Sequence, residues 1–196
     1  MNDRSRFVSR ALLPFTVMLA LSTVGSLGIA ANAPRSAPTI VLPYGASEYK
    51  YQVVPVDDGI GFERPDFDDS AFPVGDAGFG SREGYCELNN PGDVRTEWPV
   101  ETDLLVRKTL ELPAGTTDVV VYVAVDNDVQ VFMNGHDISD GLQIHEGCPS
   151  LDSFSFAVPD GLLQVGTNLL AVRARDRGGL TYLDLEVTRR NRLGLG

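Results

Sequence analysis

The stretch Leu104–Ser139, LLVRKTLELPAGTTDVVVYVAVDNDVQVFMNGHDIS, decides the fold of this chain. Its first part alternates apolar with charged residues, which is typical of a half-buried strand. The run Val119–Val125 is β-branched or aromatic almost throughout, as expected for a strand inside a sheet. The stretch therefore predicts three strands, with a turn at Pro113–Gly115 and a break at Asp126–Asp128.

The end of this stretch carries a strong hairpin signal. Asn134 and Gly135 follow the apolar run Val129–Met133, and Asn-Gly is a dipeptide that two-residue hairpin turns prefer. A sheet this apolar needs a second layer to cover it. We therefore expect an all-β fold, a two-layer antiparallel β-sandwich, in which the rest of the chain supplies the second layer.

The composition fits a turn-rich β protein, because the 196 residues include 20 Gly and 12 Pro. The formal net charge is −11; without the first 30 residues it is −13, from 13 basic and 26 acidic residues. An acidic surface repels nucleic acid and anionic membranes, so neither is expected as a partner. Such a surface suits solubility outside a cell, or the binding of cations.

Residues 1–33 are predicted to be a secretory signal. Arg4, Arg6 and Arg10 form its basic segment, and the apolar run Ala11–Ala30 follows them. A membrane anchor is the alternative, since about 20 apolar residues can span a bilayer. Small and polar residues dilute the run, which favours cleavage and leaves no stable membrane span. Both alternatives place the domain outside the cytoplasm, as a secreted or extracytoplasmic protein.

The remaining domain boundaries follow from composition. Residues 34–47 begin with a polar segment rich in Pro, Ala and Ser, and we interpret them as a linker. The folded domain is expected over residues 48–188. Residues 189–196 are basic at first and then small and apolar, and are interpreted as a tail.

Cys86 and Cys148 are the two cysteines of the chain, and an even pair in an exported protein predicts a disulfide. The bridge would join two long loops, Ser81–Val100 and Asp140–Ser153, at one end of the sandwich. A two-cysteine metal site is the alternative. It has less support, because the sequence contains no CxxC motif and only two histidines.

These two loops hold the candidate ligand-binding residues, since long structured loops on a β scaffold are where binding usually occurs. Tyr85 adjoins Cys86 outside any alternating pattern, and we predict that it is exposed and stacks on a sugar ring. Trp98 has two interpretations, sugar stacking and capping of the core. The side chains expected to add hydrogen bonds are Arg82, His145 and Glu146.

A candidate metal site lies in the loop Phe62–Gly80, where phenylalanines recur as anchors that are expected to pack onto a sheet. Asp66, Asp68 and Asp69 offer the oxygen ligands that Ca²⁺ prefers. Their spacing does not match an EF-hand. The alternative is that these carboxylates stabilise turns through hydrogen bonds to the backbone.

Five motifs follow one another along the chain. They are FDDSAFPVGDAGFG (Phe67–Gly80), RTEWP (Arg95–Pro99), LLVRKTLELPAG (Leu104–Gly115), VAVDNDVQVFMNG (Val123–Gly135) and GTNLLAVRARDRGG (Gly166–Gly179). In this order they resemble the galactose-binding-domain-like jelly roll, which is found beside catalytic domains in glycoside hydrolases and in many exported bacterial proteins. The resemblance covers residues 48–188.

The resemblance implies a fold and a range of functions. Domains of this kind commonly bind carbohydrate, with loops at one end or across a sheet face, and many carry one structural Ca²⁺. Others have lost binding and act as spacers or protein-contact modules, so the fold alone does not decide the function. This chain departs from the family at Phe72, where Trp is frequent, a change that keeps an apolar side chain.

No catalytic motif is evident in the sequence. A G-x-S-x-G elbow and a phosphate-binding Gly-rich loop are both missing, and each carboxylate has a turn or surface role available. We therefore expect a secreted module without enzymatic activity that binds carbohydrate or a cell-surface glycan. The alternative is a structural or interaction module that contacts another envelope protein and has no small-molecule ligand.

Overall fold

The computed structural model describes residues 36–82 and 84–191, so the predicted signal segment lies outside the described residues. Within these ranges, no helix is both long and apolar enough to span a bilayer. The strands are β1 Thr39–Leu42, β2 Tyr49–Val54, β3 Val74–Gly75, β4 Phe79–Gly80, β5 Thr96–Glu97, β6 Asp103–Leu112, β7 Thr116–Asp126, β8 Asp128–Met133, β9 His136–Asp137, β10 Phe154–Ala157, β11 Gly166–Arg175 and β12 Tyr182–Asn191. A single turn of 3₁₀ helix covers Asp160–Leu162.

The strands form two six-stranded sheets. The first sheet has the order β10-β7-β12-β4-β5, with β1 also paired to β12; the second has the order β3-β2-β6-β11-β8-β9. The paired strands are antiparallel except β4 and β5, which are parallel. The predicted two-layer antiparallel sandwich is therefore confirmed.

The hydrophobic core lies between the two sheets. Strand β7 shows its construction most clearly, since Val119, Val121, Val123 and Val125 are all fully buried on one face. Burying each of these side chains contributes roughly 1.5–3 kcal/mol relative to leaving it in water. The facing residues come mainly from β6, β8 and β11 of the second sheet.

The central stretch Leu104–Ser139 serves both layers, which corrects the sequence-based expectation. Within this stretch, β6 and β8 belong to the second sheet, whereas β7 belongs to the first. Asn127 alone separates β7 from β8, so the chain crosses between the layers at the point where we expected only a break. Apolar periodicity shows which side of a strand is buried, but it does not show in which layer the strand lies.

The Asn-Gly hairpin is confirmed at the end of β8. Phe132 pairs with Asp137 and Met133 with His136, so two residues remain for the turn. These residues, Asn134 and Gly135, have φ values of 51° and 84°. Positive φ at both central positions is what a type I′ turn requires.

The long connection between β2 and β4 packs on the outer face of the second sheet, as its phenylalanines predict. Phe62, Phe67 and Phe72 join a cluster there with Leu105 of β6. Phe79 instead points into the main core. The connection is therefore a fixed cover on one sheet, held by buried aromatic rings.

Two predicted boundaries are wrong. Part of the supposed linker, Thr39–Leu42, is strand β1 and pairs with β12 in the first sheet. Strand β12 continues to Asn191, inside the supposed tail. Hydrogen bonding to a neighbouring strand orders both segments, and neither composition nor alternation in these short segments reveals such a partner.

Candidate functional site

The candidate site lies at the end of the sandwich where β7 and β11 finish. Here Asn127 carries the chain between the sheets, and residues 176–181 connect β11 to β12. Cys86 and Cys148 form a disulfide at this end, with their Cα atoms 5.5 Å apart. The predicted bridge between the two long loops is therefore confirmed.

Beside the bridge is a cleft of about 380 Å³, which we call the disulfide cleft. It is lined by Tyr85, Cys86, Asp126, Asn127, Gly147, Cys148, Gly178, Gly179 and Leu180. The Tyr85 residue is 81% exposed, as predicted. The cleft thus combines an aromatic ring and a disulfide with the carboxylate of Asp126 and the amide of Asn127. From the sequence, these two polar residues were expected only to break a strand.

The turn after β11 brings its backbone to the cleft through two consecutive glycines. Gly178 and Gly179 have φ values of 113° and 101°, a region that residues with a side chain rarely adopt. The N–H of Gly178 donates to Oδ2 of Asp176 at 2.9 Å. The turn therefore places a buried carboxylate directly behind the wall of the cleft.

Two carboxylates dominate the electrostatics here. Asp126 is 5% exposed and Asp176 is 1% exposed. Burial, followed by the nearby charge of Asp176, raises the pKa of Asp126 to about 6. The Asn127 side chain donates a hydrogen bond to Asp126 Oδ1. Oδ2 of Asp176 also accepts from the N–H of Glu101, while its Oδ1 has no hydrogen-bond partner among residues 36–82 and 84–191.

Arg177 fixes the second long loop to the chain crossing. Its Nε lies 3.1 Å from Oδ2 of Asp128, and its Nη2 donates to Oε1 of Glu146 at 2.7 Å. Its backbone N–H donates to Oδ1 of Asn127 at 2.8 Å. The positive charge of Arg177 is therefore shared by Asp128 and Glu146.

The predicted hydrogen-bonding residues lie near this end but do not line the disulfide cleft. Glu146 is engaged by Arg177, and the ring of His145 packs edge-on against Phe154, with centroids 6.1 Å apart. Arg82 is exposed, and its Nη2 is 3.4 Å from the carbonyl oxygen of Arg95. The structure thus brings Tyr85 to a concave surface without these three side chains.

The proposed stacking role of Trp98 is wrong. The residue is fully buried in the main core, and its indole Nε1 donates to Oγ1 of Thr102 at 3.0 Å. The hydroxyl of Thr181 donates to its backbone carbonyl. A side chain enclosed on all sides offers no face to a sugar, so capping of the core is the correct alternative.

The acidic residues of the loop between β2 and β3 do not form a fitting calcium site. Asp68 accepts from the N–H of Ser70 at 3.0 Å, and hydrogen bonding with Ser70 lowers the pKa of Asp68. Asp69 pairs with Arg107 at 2.7 Å, and Asp66 is largely exposed to water. The described part of the chain contains no group of three His, Cys, Asp or Glu residues that could hold a metal ion. Structural Ca²⁺ stays a prediction without a fitting site in the described residues.

The sequence contains a signal for Asp126, Asn127 and Asp176, which were not among the predicted site residues. Asp126–Asp128 and Asp176–Gly179 each follow a strongly apolar strand, and their polar residues were interpreted as turn formers only. Their proximity depends on the pairing of Tyr182 with Asp126 and of Arg175 with Asp128. Two strand ends that meet at one edge of a sandwich can place turn residues side by side.

The fold is shared with domains of solved glycosidases. A glycosyl hydrolase family 2 member from Bacteroides cellulosilyticus matches with a TM-score of 0.53 and 14% identity, over 75% of this chain and 20% of that one. A Bacteroides uniformis beta-glucuronidase matches with a TM-score of 0.52 and 16% identity, over 80% of this chain and 18% of that one. The likeness shows the fold alone, and it confirms the jelly-roll resemblance suggested by the motifs.

The present chain spans about a fifth of the length of these enzymes. No protein-family model matches the sequence, and a search of curated proteins finds no match.

Proposed function

We propose that this protein is a non-catalytic, extracytoplasmic module that binds carbohydrate or a cell-surface glycan in the disulfide cleft. The observation that carries the proposal is the position of Tyr85, which is 81% exposed at the wall of a concave surface. Tyrosine presents a flat apolar face and a polar hydroxyl, which match the face and the rim of a sugar ring. The disulfide at Cys86 holds this ring at the cleft.

Polar groups suited to sugar hydroxyls lie in the same cleft. Asp126 supplies carboxylate oxygens that accept hydrogen bonds, and Asn127 supplies an amide. Ligand sites typically combine an apolar surface with a few fixed polar groups that orient the ligand. Asn127 is held by its hydrogen bonds to Asp126 and Arg177, so this part of the site is formed before a ligand arrives.

A second cleft, on the outer face of the second sheet, is a weaker candidate. Its volume is about 320 Å³, and no aromatic side chain is among the residues that line it. Its cationic side chains already have partners: Arg107 pairs with Asp69, Lys50 donates to the carbonyl of Phe72, and Lys108 donates to backbone carbonyls. The disulfide cleft is therefore preferred.

The lining of the disulfide cleft supports a binding role rather than a catalytic one. Acid–base hydrolysis of a glycoside needs two carboxyl groups that flank the bond being cleaved. In the disulfide cleft, Asp126 is the one carboxylate among the lining residues.

The experiment compares oligosaccharide binding by the wild type and by variants of Tyr85. A glycan array identifies ligands, and calorimetry then measures their affinity. Tyr85→Ala should weaken binding by about tenfold or more, whereas Tyr85→Phe should retain most of it, because the ring supplies the stacking surface. Val165→Ala is the matched control, since Val165 is 75% exposed and lies at the opposite end of β11.

Two results would contradict the proposal. Undiminished affinity in Tyr85→Ala would place carbohydrate binding elsewhere on the molecule. A complete lack of saccharide binding, together with a stable complex isolated from the native envelope, would favour the alternative role in protein interaction.

A further inference from the structure

Asp126 and Asp176 are buried at the disulfide cleft without a direct ion pair among the described residues. Asp126 is 5% exposed and Asp176 is 1% exposed. Within residues 36–82 and 84–191, neither carboxylate forms an ion pair with Lys, Arg or His. Arg177, which follows Asp176 in the chain, is occupied by Asp128 and Glu146 at 3.1 Å and 2.7 Å.

Such a pair is costly in the free protein. An ionised carboxylate loses hydration on burial, and a second negative charge nearby adds repulsion. Backbone N–H groups bind Oδ2 of Asp176, but its Oδ1 has no hydrogen-bond partner in the described residues, so the local structure offsets this cost only in part. Two agents can relieve it: a proton taken up by Asp126, or a cationic group brought by a ligand.

Asp126 lines the disulfide cleft, and Asp176 lies immediately behind it, because the N–H of the lining residue Gly178 donates to Asp176 Oδ2 at 2.9 Å. The charged groups that act on Asp126 are Asp176, Arg177 and Glu146. Since Arg177 is shared with Glu146 and Asp128, the cleft has an excess of negative charge. It therefore disfavours uronic acids and sulfated sugars and favours a ligand that carries a positive charge.

We infer that the disulfide cleft binds an amino sugar, with the ammonium group of a glucosamine-type residue at the carboxylate of Asp126, in front of the buried charge of Asp176, and a sugar ring on Tyr85. This inference rests on the proposed function and adds a class of ligand to it. An ammonium group has three hydrogen-bond donors and forms its strongest hydrogen bonds with carboxylates. Its charge is also attracted to the face of an aromatic ring.

A metal ion fits the same charges less well. Calcium takes six to eight oxygen ligands, and magnesium requires a nearly octahedral set. The described residues around this cleft do not provide three acidic, histidine or cysteine side chains grouped for a metal ion. An ammonium group is satisfied by two or three acceptors, and Asp126 and Asn127, which both line the cleft, carry side-chain oxygens of this kind.

The test compares three tetrasaccharides on the full chain by calorimetry at pH 7: a β-1,4 glucosamine oligomer, its N-acetylated form and the neutral glucose oligomer. Charge-assisted hydrogen bonds should make the glucosamine oligomer bind about tenfold or more tightly than the other two. Asp126→Asn should abolish this preference, so that the variant binds the three oligomers with similar affinity. Asp66→Asn is the matched control, because the Asp66 side chain is 85% exposed on another loop.

A pH series adds a second readout. Lowering the pH from 7 to 5 protonates Asp126, so the affinity of the wild type for the glucosamine oligomer should fall relative to that of Asp126→Asn. The affinity of the Asp126→Asn variant should not fall in this way. Asn at this position conserves the volume of the side chain, and circular dichroism verifies that the variant is folded.

The outcomes separate this inference from the proposed function. Equal affinity for all three oligomers, with loss of binding in Tyr85→Ala, would overturn the inference and leave carbohydrate binding in place. No binding of any of the three oligomers, with another saccharide bound on the glycan array, would overturn the inference alone, whereas no binding of any saccharide on the array would overturn both. Calcium chloride that raises the melting temperature of the wild type, but not of Asp126→Asn, would overturn the inference in favour of a metal ion.

Discussion

Asp103 and Arg175 face each other across the β6–β11 ladder and form a two-pronged ion pair. Nε of Arg175 lies 2.8 Å from Oδ1 of Asp103, and its Nη2 lies 3.0 Å from Oδ2. Asp103 is fully buried, and its Oδ2 also accepts from the N–H of Asp57 at 3.0 Å. The pair therefore joins the two central strands of the second sheet to the loop that follows β2.

Removal of one partner should destabilise the protein strongly. Arg175→Ala leaves the charge of Asp103 buried and without its main partner, a change that typically costs about 3–5 kcal/mol. The free energy of unfolding in urea measures this effect. Arg64→Ala is the control: its pair with Asp66 is 3.8 Å long and exposed, so its loss should cost less than about 1 kcal/mol. Similar values for the two variants would contradict the assigned role of Asp103.

The disulfide should contribute substantially to stability. The bridge joins residues 62 positions apart, and the chain-entropy model gives about 4 kcal/mol for a closed loop of this length. The double variant Cys86→Ser, Cys148→Ser should lower the free energy of unfolding by roughly this amount. Carbohydrate affinity should fall as well, because Tyr85 is then no longer held at the cleft. A double variant that keeps full affinity would show that the bridge does not position the ring.

Asp184 should make stability depend on pH in mildly acidic solution. Burial raises the pKa of its carboxyl group from 3.8 to about 6. A carboxyl whose pKa is higher in the folded state stabilises the fold below its unfolded pKa, and this contribution disappears as pH rises through about 6. A difference of two pKa units corresponds to an effect on the order of 3 kcal/mol.

Urea unfolding between pH 4 and pH 7.5 tests this expectation. Asp184→Asn cannot titrate at this position, so the variant should lose less stability than the wild type between pH 4 and pH 6; Asp126, whose pKa is also raised to about 6, contributes to the loss that remains. The amide oxygen of Asn can still accept the N–H of Gly45, which lies 2.8 Å from Oδ2 in the wild type. Parallel pH profiles for the two proteins would contradict the assignment.

Trp98 should report on the core and not on the ligand. It is the single tryptophan of the chain and is fully buried, so its fluorescence should be blue-shifted and resistant to acrylamide quenching. Addition of a bound oligosaccharide should leave the emission maximum unchanged. Trp98→Ala should lower the free energy of unfolding by about 3–5 kcal/mol, whereas Trp98→Phe should keep carbohydrate affinity. A ligand-induced spectral shift would mean that Trp98 lies nearer the ligand than the structure places it.

The sequence predicted the elements of this fold more reliably than their arrangement. Alternating apolar residues located the long strands, and Asn134-Gly135 located a hairpin, because side-chain periodicity and turn chemistry are local properties. Strand β1 was missed, since Thr39–Leu42 is a strand only through its pairing with β12. The change of layer at Asn127 was missed for a similar reason, because a crossing and a bend have the same residue types.

The candidate site was predicted in part. Tyr85 and the disulfide were identified from their sequence context, since an even cysteine pair and an aromatic residue in a long loop are visible without a structure. That Trp98 caps the core and does not stack on a sugar was decided by packing, which encloses its indole beside Thr102. Asp126 and Asp176 are 50 positions apart in sequence, and nothing in either turn shows that the two meet.

By itself, the sequence determined that this chain builds two apolar β layers and contains one cysteine pair, because burial patterns and composition depend only on each residue and its near neighbours in sequence. Only the tertiary structure decided which strands share a layer and which turn residues stand together at the cleft. The physical reason is that strand pairing and the charge around a buried carboxylate are properties of neighbours in space, and those neighbours come from distant parts of the chain.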